Sequence, residues 1–290
     1  MTDLAQFLFA GLTTGAVYAL AALGFTLIYN ASGVINFAQG DFLMLSAMVT
    51  AALLKQSMPY PAAITVGIAV TVLAGLLLYR LAIKPAGDAD VVSLIIITIG
   101  ASIFLQGVVQ VLLGKNQQVL PPFTGDAAVE LLGARVLPQT FWVLGTGALL
   151  VAAVAAFFRY TLVGKATLAV AANKLAAGAV GIPTGRILQM SFGLSALLGA
   201  VAGVVAAPIT TTVSDIGLML GMKGFVAATL GGLGSGLGAV VGGLLVGLLE
   251  ALVAGYVSSA YKDAVPFALI IVILLVMPAG LFGRKSTERV

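Results

Sequence analysis

The sequence contains no cysteine and no histidine, and among its 290 residues only 10 are acidic and 14 basic. Without Cys there is no disulfide framework, no thiol nucleophile and no thiolate metal site. Without His the usual proton shuttle and the commonest metal ligand are missing. Charged residues make up 8% of the chain, against roughly a quarter in a soluble domain. That is too little charge to wet the surface of a globule this size. What fills the space is apolar: 61% of the residues, against roughly half in a soluble domain. Lipid therefore replaces water as the main solvent, and the expected fold class is an all-α polytopic membrane protein. A soluble enzyme, a disordered tail and a nucleic-acid binder are excluded.

The gaps between charges mark the spans, since a helix needs about 20 mainly apolar residues to cross the hydrocarbon core. Uncharged runs occupy Leu4–Gly40, Gln56–Tyr79, Val91–Gly114, Val136–Phe158, Ile187–Ser214, Gly224–Leu249 and Ala264–Gly283. The first is too long for one crossing and is broken at Asn30-Ala31-Ser32-Gly33, so a second span begins near Val34. A glycine-rich break at Gly231–Gly236 divides Gly224–Val257 in the same way. About eight transmembrane helices are expected, with broken or re-entrant segments and a seventh span at about Ile216–Gly232. The chain, residues 1–290, reads as a single transmembrane domain. Its outer loop covers residues 115–139, and its cytoplasmic loop covers residues 159–186. The core of that inner loop, Lys165–Gly181, is rich in Ala and Leu and is expected to be helical, ending at Gly181 before Pro183.

Orientation follows from the basic residues. With a cytoplasmic C-terminus, nine fall inside (Arg80, Lys84, Arg159, Lys165, Lys174, Arg186, Arg284, Lys285 and Arg289) and five outside (Lys55, Lys115, Arg135, Lys223 and Lys262). The expected topology is N-out and C-in. Met1-Thr2-Asp3 offers no basic region ahead of the first apolar run, and the first Lys is Lys55, so that span is expected to be retained.

Catalytic motifs do not assemble. Gly217 and Gly221 have the glycine spacing of a phosphate loop, but Met222 displaces Lys223, and the glycines at 231–238 never complete a dinucleotide fingerprint. The chain is not expected to be an enzyme or to hold a metal. If transport uses ATP, another subunit binds it.

Polar residues inside apolar runs are informative because each is costly to desolvate. Asn36, Gln39 and Asp41 cluster where two spans meet, and broken helices of this kind expose amides and backbone to a solute. The alternative is that Asp41 flanks a helix end. Glu250 is the only acid deep within an expected span, with no basic residue obviously opposite it. It reads first as a buried structural acid hydrogen-bonded to a neighbouring helix, and second as a group on the solute path. Gly238-x3-Gly242 and Gly243-x3-Gly247 are small-xxx-small steps for close helix packing.

Four stretches carry a family likeness: Gly11–Tyr29 (GLTTGAVYALAALGFTLIY), Val34–Asp41 (VINFAQGD), Gly221–Gly247 (GMKGFVAATLGGLGSGLGAVVGGLLVG) and Tyr261–Arg284 (YKDAVPFALIIVILLVMPAGLFGR). In these the chain resembles the LivH-like permeases of bacterial branched-chain amino acid ABC importers. The resemblance implies a multi-pass protein of the bacterial inner membrane that passes branched-chain or similar small neutral amino acids into the cytoplasm. It implies a second related permease, two cytoplasmic ATPases and a periplasmic amino-acid-binding protein as partners. ATP and Mg²⁺ would sit on those partners, with no cofactor on this chain. Gly164–Ile182 looks like the family's coupling segment, which makes Asn173, Lys174, Ala177, Gly178 and Gly181 candidates for contact with an ATPase. The chain departs from the family at Ala172-Asn173, where a polar pair is frequent. Candidates for the solute path are Asn36, Gln39 and Asp41, followed by Thr13, Thr14 and Tyr18. Two rival readings stay open: the same transporter class carrying urea or short amides, and an autonomous channel or ion-coupled carrier with its own paired intramembrane acid and base.

Overall fold

A computed structural model describes residues 2–87 and 89–283; Arg284, Lys285 and Arg289, used above for orientation, lie outside the described residues. The apolar runs form helices nearly everywhere, because in lipid every backbone group must find its partner within the segment. In chain order they are α1 (Thr2–Ser32), α2 (Gln39–Lys55), α3 (Tyr60–Leu78), α4 (Lys84–Ala86), α5 (Val91–Leu113) and α6 (Pro138–Tyr160). Then come α7 (Leu162–Ala172), α8 (Lys174–Ala179), α9 (Thr184–Ala206), α10 (Ile216–Gly231), α11 (Gly236–Tyr256) and α12 (Ala264–Val276). A π-helical turn, Tyr79–Ile83, joins α3 to α4 into one rod. The only strands among the described residues are the hairpin β1 (Val129–Leu131) and β2 (Ala134–Val136).

Six helices are long and apolar enough to cross a bilayer: α1, the α3–α4 rod, α5, α6, α9 and α11. Three shorter ones, α2, α10 and α12, have 17, 16 and 13 residues. At 1.5 Å per residue they reach only about 20–26 Å. Six long and three short make nine bundle helices among the described residues, one more than the eight expected, because both divided runs yield two helices each. An odd number is what termini on opposite sides require. α2 is short because the chain turns back early. Gly33 stops α1 with φ +71°, a left-handed conformation that suits a residue without Cβ. Residues 34–38 then climb back beside α1 before helix resumes. Gln39 packs at the level of Gly24 and Ser195, in the middle of α1 and α9. The glycine-rich break between α10 and α11 is equally local: Gly232 and Gly234 both have positive φ, and the Ser235 hydroxyl caps α11 by accepting from the Gly238 amide.

The centre of the bundle is α1 against α11. A Cβ on Gly243 would strike the backbone of Ala19, and one on Gly247 would strike the backbone of Gly15. The two helices therefore touch main chain to main chain, which is how helices associate in lipid, where apolar burial supplies no drive. Around this pair lie α9, α10 and α2. The antiparallel run of α1 and α11 fixes the geometry of the ends. Gln6 of α1 exchanges hydrogen bonds with the Arg135 backbone in the hairpin, while Phe282 donates to the Gly231 carbonyl at the other end. Lys55, Lys115, Arg135 and Lys262 gather at the first end; Arg80, Lys84, Arg159, Lys165, Lys174 and Arg186 gather at the second.

At the hairpin end, the loop after α5 is tied down. Gln118 pairs with Thr212 across an isolated bridge. Fully buried Gln139 accepts from the Phe123 amide at 3.1 Å and donates to the Val205 carbonyl at 2.8 Å. Trp142 packs edge-on against Phe123, ring centroids 5.7 Å apart, and its indole N–H donates to Thr124 Oγ1.

At the opposite end, the expected continuous helix over Lys165–Gly181 is interrupted. Asn173 is extended (φ −161°, ψ 106°), and its side-chain carbonyl accepts from the Ala176 amide at 2.9 Å. A short amide side chain offers the backbone an alternative to the helical bond, so Asn173 ends α7 and caps α8. Gly181, at φ +86°, closes the segment before Pro183.

Candidate functional site

A cavity of about 560 Å³ opens at the hairpin end, within the roughly 300–1,000 Å³ range of small-molecule clefts. Its rim carries Gln6, Arg135 and Lys262, all exposed; its wall is made by Phe9, Val17, Val143, Ile216 and Leu220, with Thr13, Thr14, Thr140 and Thr210 adding hydroxyls. Thr13 and Thr14 satisfy their own hydroxyl protons on the Phe9 and Ala10 carbonyls, both at 2.7 Å, leaving their oxygens as acceptors.

The floor is ionic. Lys223 of α10 donates to Glu250 Oε1 of α11 at 2.8 Å and to Asp263 Oδ1, ahead of α12, at 2.6 Å. The Tyr18 hydroxyl of α1 donates to Glu250 Oε2 at 2.8 Å and lies 3.2 Å from the Lys223 ammonium. Tyr18, Lys223 and Glu250 are all buried. Asp263 is more open, and the Lys223 hydrogen bond holds its carboxyl below the usual carboxylate range.

Two expectations need correcting here. Lys223, counted among the outer charges, is instead buried inside α10, where two carboxylates and a phenol replace its water. Glu250 does have a basic partner, and that partner is Lys223. Sequence reasoning leaves Lys223 unpaired with Glu250 because it counts Lys223 with the outer charges, although this residue falls within the expected seventh span, Ile216–Gly232. The available signal was Glu250 itself, since an acid deep in a span requires a counter-charge and Lys223 was the nearest cation on an adjacent glycine-rich segment.

Of the residues expected on the solute path, Thr13, Thr14 and Tyr18 line the cavity. Asn36, Gln39 and Asp41 do not. All three are fully buried at the break before α2. Asn36 accepts from the Ala38 amide. Gln39 donates to the Ser195 carbonyl, and Ser195 Oγ bridges its amide oxygen to the Gly24 carbonyl. Asp41 accepts from the Gln106 amide at 2.9 Å. Gln39 and Asp41 thus bind neighbouring helices together and Asn36 holds the turn into α2, where the sequence alone suggested amides turned toward a solute.

The second region of interest is the α7–α8 pair at the far end. Ala177 is buried with Val170 and Ile187, which anchors α8 to α9. Asn173, Lys174 and Gly178 are exposed, as are the apolar Leu162, Leu175 and Val180 of the same segment. A side chain at Gly178 would meet nothing.

Comparison with known proteins fits this architecture. Residues 7–274 match the family described as branched-chain amino acid transport system / permease component. The chain is 39% identical to the high-affinity branched-chain amino acid transport system permease protein LivH of Escherichia coli, with 98% of this chain and 97% of that protein covered. It is 33% identical to BraD of Pseudomonas aeruginosa, a permease protein of the same description, over the same shares. Its fold is similar to that of PsaBC from Streptococcus pneumoniae in complex with Fab, with a TM-score of 0.54 at 17% identity, covering 94% of this chain and 92% of that one. The family match over residues 7–274 and the 39% identity to LivH across nearly the full length of both chains lead to one assignment: the chain belongs to the family of branched-chain amino acid transport system permease components.

Proposed function

We propose that the protein is the membrane-spanning permease subunit of an ATP-binding-cassette importer that passes branched-chain or similar small neutral amino acids into the cytoplasm. The near-full-length likeness to LivH carries this reading. The cavity end faces outward, with the N-terminus outside and the C-terminus in the cytoplasm, as the excess of Lys and Arg at the α7–α8 end supports. A periplasmic amino-acid-binding protein delivers the solute to the cavity. Two ATPases hold ATP and Mg²⁺ and dock on α7–α8 through Asn173, Lys174, Ala177, Gly178 and Gly181. A second related permease completes the pore.

The test is reconstitution. The complex of both permeases and both ATPases in liposomes, supplied with binding protein and ATP, takes up labelled leucine against its gradient. The permease pair without ATPases does not. Uphill uptake by the permeases alone overturns the proposal.

One observation favours a second reading, an ion-coupled carrier: Lys223 and Glu250 are the paired intramembrane acid and base that such a carrier requires. Collapse of uptake by a protonophore while ATP is held constant would favour the carrier; insensitivity favours the importer.

A further inference from the structure

A buried ion pair is a weak source of stability, because desolvating both charges offsets their attraction. In spanning segments, ionisable groups concentrate on solute pathways. The Lys223–Glu250–Asp263 cluster has the second setting. Lys223 and Glu250 are buried and Asp263 is half-open, and all three line the 560 Å³ cavity together with the apolar Phe9, Val17, Val143 and Leu220. One ammonium meets two carboxylates there, with the Tyr18 hydroxyl beside them and Lys262 and Arg135 as the other charged groups of the cavity.

We propose that this cluster is a head-group cradle that selects zwitterionic α-amino acids. The solute's α-ammonium pairs with Asp263 and its α-carboxylate with Lys223, while Glu250, fixed by Tyr18, keeps Lys223 in position. The branched side chain lies along the apolar wall. The inference rests on the cavity being the solute's entry, as proposed above. In this structure the cradle is closed on itself, Lys223 holding Asp263 at 2.6 Å. Asp263 is the member able to yield, its side chain being 45% exposed, against 5% for Lys223. A zwitterion exchanges that one pair for two pairs of the same polarity, so it releases α10 from the start of α12 without stranding a charge. A solute without the ammonium leaves Asp263 without an ion pair, and one without the carboxylate leaves Lys223 with Glu250 alone, so each recovers less than the zwitterion does. Urea and short amides lack both charges and gain nothing from the exchange.

The experiment is equilibrium binding of labelled leucine to the nucleotide-free full complex in nanodiscs, without binding protein. The competitors are leucine, leucinamide (no carboxylate), 4-methylpentanoate (no ammonium) and urea. Leucine should compete at least tenfold better than the other three, and Asp263→Asn and Lys223→Gln should each weaken leucine binding at least tenfold. Equal competition by leucinamide and 4-methylpentanoate overturns the cradle, as does wild-type affinity in either variant or no saturable binding to the wild type. If Lys223→Gln does not assemble, competition on the wild type decides. ATP-driven leucine uptake by the same wild-type complex, reconstituted in liposomes and supplied with binding protein, reads the permease function separately. Uptake without charge discrimination rejects the cradle alone, whereas no uptake rejects the reading beneath it.

Discussion

The inner and outer helices of the bundle invert the usual relation between hydropathy and burial. In α1 and α9, 67% and 72% of the apolar stretch is buried; in α5 and α6 the shares are 11% and 17%. Yet α1 and α9 are the less hydropathic pair. In water the most apolar segment goes inside. Here the most apolar segments meet lipid, and the inside goes to helices whose small and polar residues allow close backbone approach and hydrogen bonds between helices.

The sharpest way to break this contrast is to put the same bulk on both kinds of helix. Gly243→Leu or Gly247→Leu drives a side chain into the α1 backbone and is expected to cost at least about 3 kcal/mol, enough to lose the monodisperse species on size-exclusion chromatography. Gly100→Leu and Gly107→Leu on α5, where a Cβ would meet nothing, should leave the thermal midpoint unchanged. Equal loss in both sets would show that glycine content, not interior position, is what matters.

The next effect is electrostatic and lies in the interior. Glu250→Leu leaves the Tyr18 hydroxyl without its acceptor and Lys223 with Asp263 alone, and should destabilise by up to about 3 kcal/mol in thermal or chemical unfolding. Glu250→Gln, which keeps one acceptor oxygen for Lys223 and turns its NH2 to the Tyr18 oxygen, should cost less. Equal, complete loss of transport in both variants would mean that the charge itself is needed.

Smaller effects belong to the exposed α7–α8 end. Asn173→Ala removes the cap of α8 and should cost about 1 kcal/mol, read as faster amide exchange over residues 174–179. Gly178→Leu meets no steric obstacle in this chain and should leave its stability intact while uncoupling ATP hydrolysis from leucine uptake. Unchanged coupling would count against docking there.

The smallest expected change is with pH. The carboxyl of Asp263 is held below its ordinary range, so its tie to Lys223 is complete above the unfolded value of about 3.9 and fades as pH falls through the lower folded one. Leucine binding should stay flat from about pH 8 to about pH 5 and decline only below about pH 4. A decline centred near neutrality would point to a different titrating group.

The same inversion explains what could be read from the sequence. Class, spans and breaks were legible because charges and glycines punctuate the chain: the break after Asn30 and the one at Gly231–Gly236 are both present. The extent of α2 was less legible, since nothing in Val34–Ala38 tells how far the chain re-enters before helix resumes. Partnering was the least legible. Whether an amide such as Gln39 faces a solute or Ser195 depends on which helix stands opposite, and those two residues are 156 positions apart. Tyr18, Lys223 and Glu250 likewise come from three helices and meet only when α1, α10 and α11 have packed.

Trp142 is the sole indole in the protein, fixed between Phe123 and Thr124 one position before the cavity-lining Val143. Intrinsic emission excited at the red edge of protein absorbance therefore comes from one known place, the contact between α6 and the loop ahead of β1. Any rocking of the hairpin loop against α6 during a transport cycle will report itself as a spectral shift, with no dye attached and no cysteine introduced.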